Sequence, residues 1–183
     1  MMSQLYIKIC FILSRCHNKL RIIHFRLLGI HIGQGCYIGK GTSMTGNIFI
    51  GDYTVIGDFT CLSTMPNGKI SIGNDCHINS LTMIGSAENV TIEDHCIFAP
   101  YVQITDATHA IDHISVNIKN AEMPALPVHI GKNVWLGSGV VVLRGVVIGS
   151  GAVVGASSLV NKSIPEDSVS VGIPAQVIRY RNI

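Results

Sequence analysis

Residues 130–160 read IGKNVWLGSGVVVLRGVVIGSGAVVGASSLV. Apolar residues stand at every sixth place: Ile130, Leu136, Val142, Ile148, Val154 and Val160. Internal repeats take precedence over local propensity in deciding a fold, and this one extends upstream. Further anchors fall at Ile32, Ile38, Met44, Ile50, Ile56 and Leu62, at Ile72, Ile78 and Ile84, and at Ile92, Phe98 and Ile104. Three short strands per turn describe a triangular prism of 18-residue coils. The first face then carries Ile32, Ile50, Ile72, Ile92, Ile130 and Ile148, one column made only of isoleucine.

Two further positions keep the same period. The residue two before an anchor is small or β-branched: Cys36, Thr54, Thr60, Cys76, Cys96, Val134, Val140 and Ala152. In a strand that position shares the interior face with the anchor, so the three cysteines among them read as small buried hydrophobes. Glycine often follows the anchor, as at Gly33, Gly57 and Gly137, and is expected there for the backbone freedom of a corner. The register also exposes the interruptions. Four, two and twenty extra residues follow Leu62, Ile84 and Ile104, each the last anchor of its coil. All three insertions therefore leave from one corner of the prism, where a repeat protein tends to build its binding face.

Composition narrows the class. Charged residues are 13% of 183, about half the usual ~25%, and a formal charge of +2 predicts no nucleic-acid partner. Apolar runs are too short for a transmembrane helix. Residues 5–13, LYIKICFIL, are apolar but contain Lys8 and lack the small-residue site of a cleaved signal. Six scattered cysteines without a CxxC pair argue against a disulfide framework or a zinc site and favour a reducing, cytoplasmic setting. Before the repeat, Leu20, Ile23, Leu27 and Leu28 recur near helical spacing, with Lys19, Arg21 and Arg26 between them and Gly29 as a stop. This leader is expected to be a helical cap over the open end of the prism. The alternative is a basic amphipathic helix making peripheral contact with a membrane, at its inner face.

The segment from His129 through Trp135, Ser138 and Gly145 to Lys162, and on to Gly172-Ile-Pro-Ala-Gln-Val-Ile-Arg179, resembles the hexapeptide-repeat acyltransferases, in particular their galactoside, maltose and polysaccharide O-acetyltransferase branch. The resemblance covers residues 32–180. It implies an all-β fold, a left-handed parallel β-helix of about six triangular coils, with an N-terminal helical cap and a short C-terminal extension. The corresponding division is residues 1–29 for the leader, 30–165 for the acyltransferase domain with an active-site loop at 105–129, and 166–183 for the extension. It also implies acetyl-CoA as cosubstrate, no metal, and a homotrimer with its sites between subunits.

Residue by residue, the resemblance implies His109 as general base. Trp135 and Ser138 would line the acetyl-donor channel, the backbone of Ala156 would contact the pantetheine arm, and Lys162 and Arg179 would hold the coenzyme phosphates. Asn79 matches an acceptor-side residue. Glu88 stands beside a position where some sugar transferases carry an aspartate. Asp106 and Asp112 are candidates for the acceptor side or for orienting the imidazole, and His113 is an alternative base. Gln176 departs from the pattern, standing where Lys or Arg is common. The implied chemistry is sound: a hydroxyl must lose its proton as it attacks a thioester, and an imidazole with an ordinary pKa of about 6.5 suits that task. Ser138 or a neighbouring backbone N–H is the candidate donor to the oxyanion.

The expected activity is thus O-acetyl transfer to a sugar or saccharide hydroxyl, in polysaccharide biosynthesis. N-acetylation of an amino sugar or a nucleotide-linked amino sugar is the alternative. A zinc hydrase of the γ-carbonic-anhydrase kind needs three stacked histidines, which the places of His77 and His95 in the repeat disfavour. A non-catalytic scaffold is the remaining reading.

Overall fold

The computed structural model describes residues 16–111 and 117–182. Their backbone winds into a β-solenoid with three parallel sheets. Each of six complete coils contributes one short strand to each sheet, as His31–Ile32, Tyr37–Ile38 and Ser43–Thr45 do in the first coil. A partial seventh turn follows, in which Ile164 bridges to Ile148.

The register is the one the anchors predict. Ile32, Ile50, Ile72, Ile92, Ile130 and Ile148 are successive partners in the first sheet. Ile38, Ile56, Ile78, Phe98, Leu136 and Val154 stack in the second. Met44, Leu62, Ile84, Ile104, Val142 and Val160 stack in the third. All eighteen are buried. Burying each such side chain contributes on the order of 1.5–3 kcal/mol, and the columns fill the prism along its whole length. Between them lie the residues two before each anchor. Cys36, Cys76 and Cys96 are buried there, their thiols donating to the carbonyls of Gly51, Glu93 and Gly131 as the hydroxyl of Thr54 does to Gly73. Burial pushes the Cys36 thiol above its ordinary pKa. The adjacent Cys76 thiol, together with burial, does the same to Cys96.

The corners are built differently from the expectation. Where glycine follows an anchor it does not supply a left-handed backbone. Except at Gly85, which has open space around it, it clears the coil above: a Cβ on Gly57 would lie 2.4 Å from the Ser80 nitrogen, and one on Gly39 2.4 Å from that of Asp58. The left-handed conformation falls two residues later. Among the described residues nine non-glycine residues have positive φ; eight, Tyr53, Phe59 and Leu81 among them, sit three places after an anchor, and Asp167 sits three after Ile164. Beside them a ladder of side chains ties one coil to the next. The backbone N–H of Gln34 donates to Asp52 Oδ1 at 2.9 Å, that of Asp52 to Asn74 Oδ1 at 2.8 Å, and that of Asn74 to Asp94 Oδ1 at 2.8 Å.

Both ends of the prism are closed. Residues 16–27 form a helix over the first coil, touching it through buried Phe25 and through Ile22. Its polar side chains satisfy the open strand edges. Asn18 bridges the Cys36 carbonyl and the Ile38 N–H, Arg21 donates to the Ile38 carbonyl at 2.8 Å, and Arg26 to that of Ile32 at 3.1 Å. The helix therefore caps the prism, but not through the stripe expected from spacing: Leu20, Ile23, Leu27 and Leu28 face away and are exposed. At the other end Ser168–Val171 continues the second sheet in parallel, and Gln176–Tyr180 returns antiparallel to it.

Candidate functional site

The three insertions stack at the corner between the third and first sheets. The lowest is a tight turn closed by Gly68 N–H donating to the Met65 carbonyl at 2.9 Å. Its Met65 N–H reaches the Ser86 carbonyl of the next coil at 2.8 Å. The second insertion contains Ala87 and Glu88, and the third is the long loop. Met65, Ala87, Ala107 and Met123 from the three levels face a shallow cavity of about 190 Å³.

Asp106 roots the long loop. Its side chain is fully buried. One carboxylate oxygen accepts from the Ala87 N–H at 2.7 Å; the other accepts from the Ser86 hydroxyl at 2.7 Å and the Glu88 N–H at 2.9 Å. Its backbone carbonyl takes the N–H of Leu126 at 2.8 Å, where the loop returns. Expected to face the acceptor or the imidazole, this carboxylate is instead a strut between two coils. Glu88 joins it only through its N–H and is itself exposed.

Beyond Asp106 the chain is a two-armed hairpin rather than an irregular loop. Ala107 bridges antiparallel to Ala125, Thr108 N–H donates to the Pro124 carbonyl at 3.3 Å, and Ala110 N–H to that of Glu122 at 2.8 Å. His109 lies between those two bonds with its side chain exposed. The returning arm docks on the next coil through Leu126, whose carbonyl accepts from Gly145 N–H at 3.0 Å. Asp112 and His113 lie outside the described residues.

The residues expected to hold the donor gather at a different corner. Trp135 is 53% exposed on the outer face of the second sheet. Ser138 and Ala156 follow on the corner between the second and third sheets, one coil apart. The Ser138 hydroxyl donates to the Pro100 carbonyl at 2.9 Å, and its own carbonyl accepts from Ser157 N–H at 2.8 Å. The side-chain ladder climbs this corner only through Lys40, Asp58 and Ser80. Pro100 has no N–H to enter it, and Ala156 has no side-chain acceptor to continue it. The N–H groups of Ser138 and Ala156 thus have no hydrogen-bond partner among the described residues. Two unpaired amides beside an exposed indole are what a flexible amide-bearing chain such as a pantetheine arm can use. The resemblance pointed to the Ala156 backbone; that the ladder breaks there and leaves both amides unpaired was not read from the sequence, and alanine at a place otherwise held by Asp or Ser was the available signal.

Lys162 is exposed at the loop's corner, two coils further along, and Arg179 is exposed on the last strand, opposite Val169. Neither is in an ion pair among the described residues. Asn79 is partly buried, and its amide donates to the Phe98 carbonyl at 2.9 Å. It belongs to the second corner, not to the loop's. One prism therefore brings Glu88, Asp106 and His109 together at one edge, and Asn79, Ser138 and Ala156 together at another.

The other histidines are accounted for locally. His77 pairs in register with Ile97, His95 lies 3.0 Å from Asp75, His129 lies 3.2 Å from Glu93, and His31 stacks on Phe49.

A family profile described as bacterial transferase hexapeptide (six repeats) matches residues 127–162. The chain is 42% identical over 114 residues to a galactoside O-acetyltransferase of Escherichia coli K12, which covers 62% of the chain and 55% of that relative. It is 36% identical over 154 residues to a putative lipopolysaccharide biosynthesis O-acetyl transferase of the same organism, covering 80% of the chain and 76% of the relative. A hexapeptide-repeat acetyltransferase of Vibrio cholerae, solved with acetyl coenzyme A, superimposes with a TM-score of 0.66 at 28% identity. That match covers 79% of this chain and 73% of the other. The chain spans only about half the length of the first curated relatives it matches.

Proposed function

The chain belongs to the hexapeptide-repeat acetyltransferases, on the branch of galactoside and polysaccharide O-acetyltransferases, and from that premise we propose that it carries the acetyl group of acetyl-CoA to a hydroxyl of a sugar or saccharide. The observation that carries the reading is His109: an exposed imidazole on a hairpin pinned on both sides, above a cavity built from three stacked insertions. Acetyl-CoA would supply the electrophilic thioester carbonyl. His109 takes the proton of the attacking hydroxyl, and general-base assistance of this kind is worth about 10²–10⁴-fold. Trp135 and the unpaired N–H groups of Ser138 and Ala156 hold the donor arm, with Lys162 and Arg179 for its phosphates. The Ser138 hydroxyl donates to Pro100 in this structure, and it or a neighbouring backbone N–H is the donor to the oxyanion.

His109 and the donor corner lie on different edges of one prism. A complete site therefore takes the hairpin of one copy and the donor corner of its neighbour, as a homotrimer arranges them.

The test is acetyl-CoA turnover across sugars, amino sugars and nucleotide sugars, with the mass and linkage of the product determined. An ester on a hydroxyl is expected; an amide product would move the reading to N-acetylation. His109→Ala is expected to lower kcat by about 10²–10⁴-fold with the fold unchanged, since His109 makes no side-chain hydrogen bond among the described residues. Wild-type turnover in that variant would remove His109 from the mechanism.

A further inference from the structure

The helix at residues 16–27 is turned inside out relative to an ordinary cap. Its polar side chains Asn18, Arg21 and Arg26 face the prism and bond its open edges. Its apolar stripe faces outward: Leu20 is 63% exposed, Ile23 53%, Leu27 82% and Leu28 61%. Leu20, Ile23 and Leu27 recur at three- and four-residue spacing and so share one face of the helix, and Leu28 follows in the turn at its end. Lys19 is exposed at one border of the stripe and Arg21 is partly exposed at the other. Single exposed apolar side chains need no explanation, but three on one face of a helix with a fourth directly after it mark a contact surface.

Charge identifies the partner. Residues 16–51 hold four basic residues, Lys19, Arg21, Arg26 and Lys40, and no Asp or Glu; residues 52–183 hold seven basic and eleven acidic residues. The end of the prism that carries the apolar stripe is therefore cationic, while the rest is acidic. A second copy docking there would set one cationic end against another. An anionic lipid surface would accept both the apolar stripe and the charge. We propose that this helix lies in the interface of an anionic membrane, with Leu20, Ile23, Leu27 and Leu28 entering the acyl boundary. The prism then stands with its first coil toward the lipid and its hairpin, three coils on, facing the aqueous side. No helix among the described residues is long and apolar enough to cross a membrane, so the contact is one of lying on, not spanning.

Flotation of the full chain with two kinds of vesicle tests this. With phosphatidylcholine–phosphatidylglycerol vesicles the protein is expected to float, and to be released by high salt. With phosphatidylcholine alone the partition is expected to be at least tenfold lower. The double variant Leu27→Ser, Leu28→Ser is expected to lose at least tenfold on the anionic vesicles while keeping the unfolding temperature, because both side chains already face water. Lys19→Glu is expected to weaken the anionic partition alone. The proposal is overturned if the wild-type chain ignores both vesicles, or if the double-serine variant floats as the wild type does. It is equally overturned if that variant changes only the mass of a vesicle-independent assembly, which would make the stripe a contact between copies.

Discussion

Replacing Asp106 with alanine removes the only buried carboxylate among the described residues and leaves three donors behind. Hydrogen bonds to a charged group are worth about 1.5–3 kcal/mol each, so three would suggest roughly 5–9. Two corrections bring this down. Taking a carboxylate out of water costs several kcal/mol in the folded protein, and the variant no longer bears that cost. The three donors also differ. Glu88 is exposed and Ala87 partly so, which lets water reach their N–H groups; Ser86 is 4% exposed and keeps an unsatisfied hydroxyl at a cost of about 1–3 kcal/mol. The expected loss is about 2–3 kcal/mol. At about 2–4 °C per kcal/mol for a chain of this size, the unfolding temperature falls by roughly 4–12 °C. Asp106→Asn keeps one acceptor oxygen, which can serve Ser86 and Glu88 together, and should lose about half as much. Amide exchange adds a local readout: Leu126 and Ala110, whose N–H groups close the hairpin, lose protection while Ile130 in the coil keeps it. Wild-type stability within about 0.5 kcal/mol, with unchanged exchange at Leu126, would refute the strut.

Gly57→Ala should destabilise by about 1–3 kcal/mol in chemical denaturation, because its Cβ would meet the Ser80 nitrogen at 2.4 Å; Gly85→Ala, with open space around it, should stay within about 0.5 kcal/mol. Ala156→Asn supplies the missing ladder acceptor to the Ser138 N–H; the KM for acetyl-CoA should rise about tenfold, the worth of about 1.4 kcal/mol, with an unchanged circular dichroism spectrum. The Asn74 N–H holds the Asp94 carboxyl below its ordinary pKa, with Lys132 assisting. A carboxyl lowered in the folded state stabilises above its unfolded value of about 3.9 and loses that contribution as pH falls through the folded value. Urea titrations of wild type and Asp94→Ala should differ by about 1 kcal/mol at neutral pH and converge only below about pH 4.

The isoleucine column was legible because interior volume admits one size of side chain at each level, so the period is written in residue type. The residues two before each anchor were legible for the same reason. The corners were less so. Glycine after the anchor was the right residue for a different cause: clearance from the next coil, which depends on a neighbour eighteen or more residues away. The left-handed position is held by glycine, Asn, Asp or Ser in several coils, as at Gly35, Asp75, Asn133 and Gly145, but by Tyr53, Phe59 and Leu81 in others, so local composition marked it only in part. Helical spacing found the stripe of Leu20 and Leu27 but not its direction. Facing inward required knowing that the open strand edges of the first coil present carbonyls and N–H groups, which Arg21, Arg26 and Asn18 satisfy better than leucine can. Asp106 read as one loop carboxylate among several; only the approach of the Ser86–Glu88 backbone distinguishes it. Equally, the insertions could be assigned to one corner by counting, but the separation of Asn79 and Ser138 from His109 emerges only when each residue is placed on its own edge.

Despite twenty residues inserted after Ile104, Val90 pairs with Val128 and Ile92 with Ile130 as though the coils were continuous. The solenoid thus behaves as a ruler graduated in strand spacings of about 4.8 Å. Asn79, His109, Ser138 and Ala156 issue from four consecutive graduations, in that order. Sequence can be exchanged within the hairpin without shifting any mark, whereas inserting one whole coil between the hairpin and the Ser138–Ala156 corner would offset His109 from that corner by about 4.8 Å, more than a proton transfer on the proposed reading would tolerate. On the proposed reading, substitutions in the hairpin would alter what lies against His109, while the coil count alone would set how far His109 stands along the prism from the Ser138–Ala156 corner.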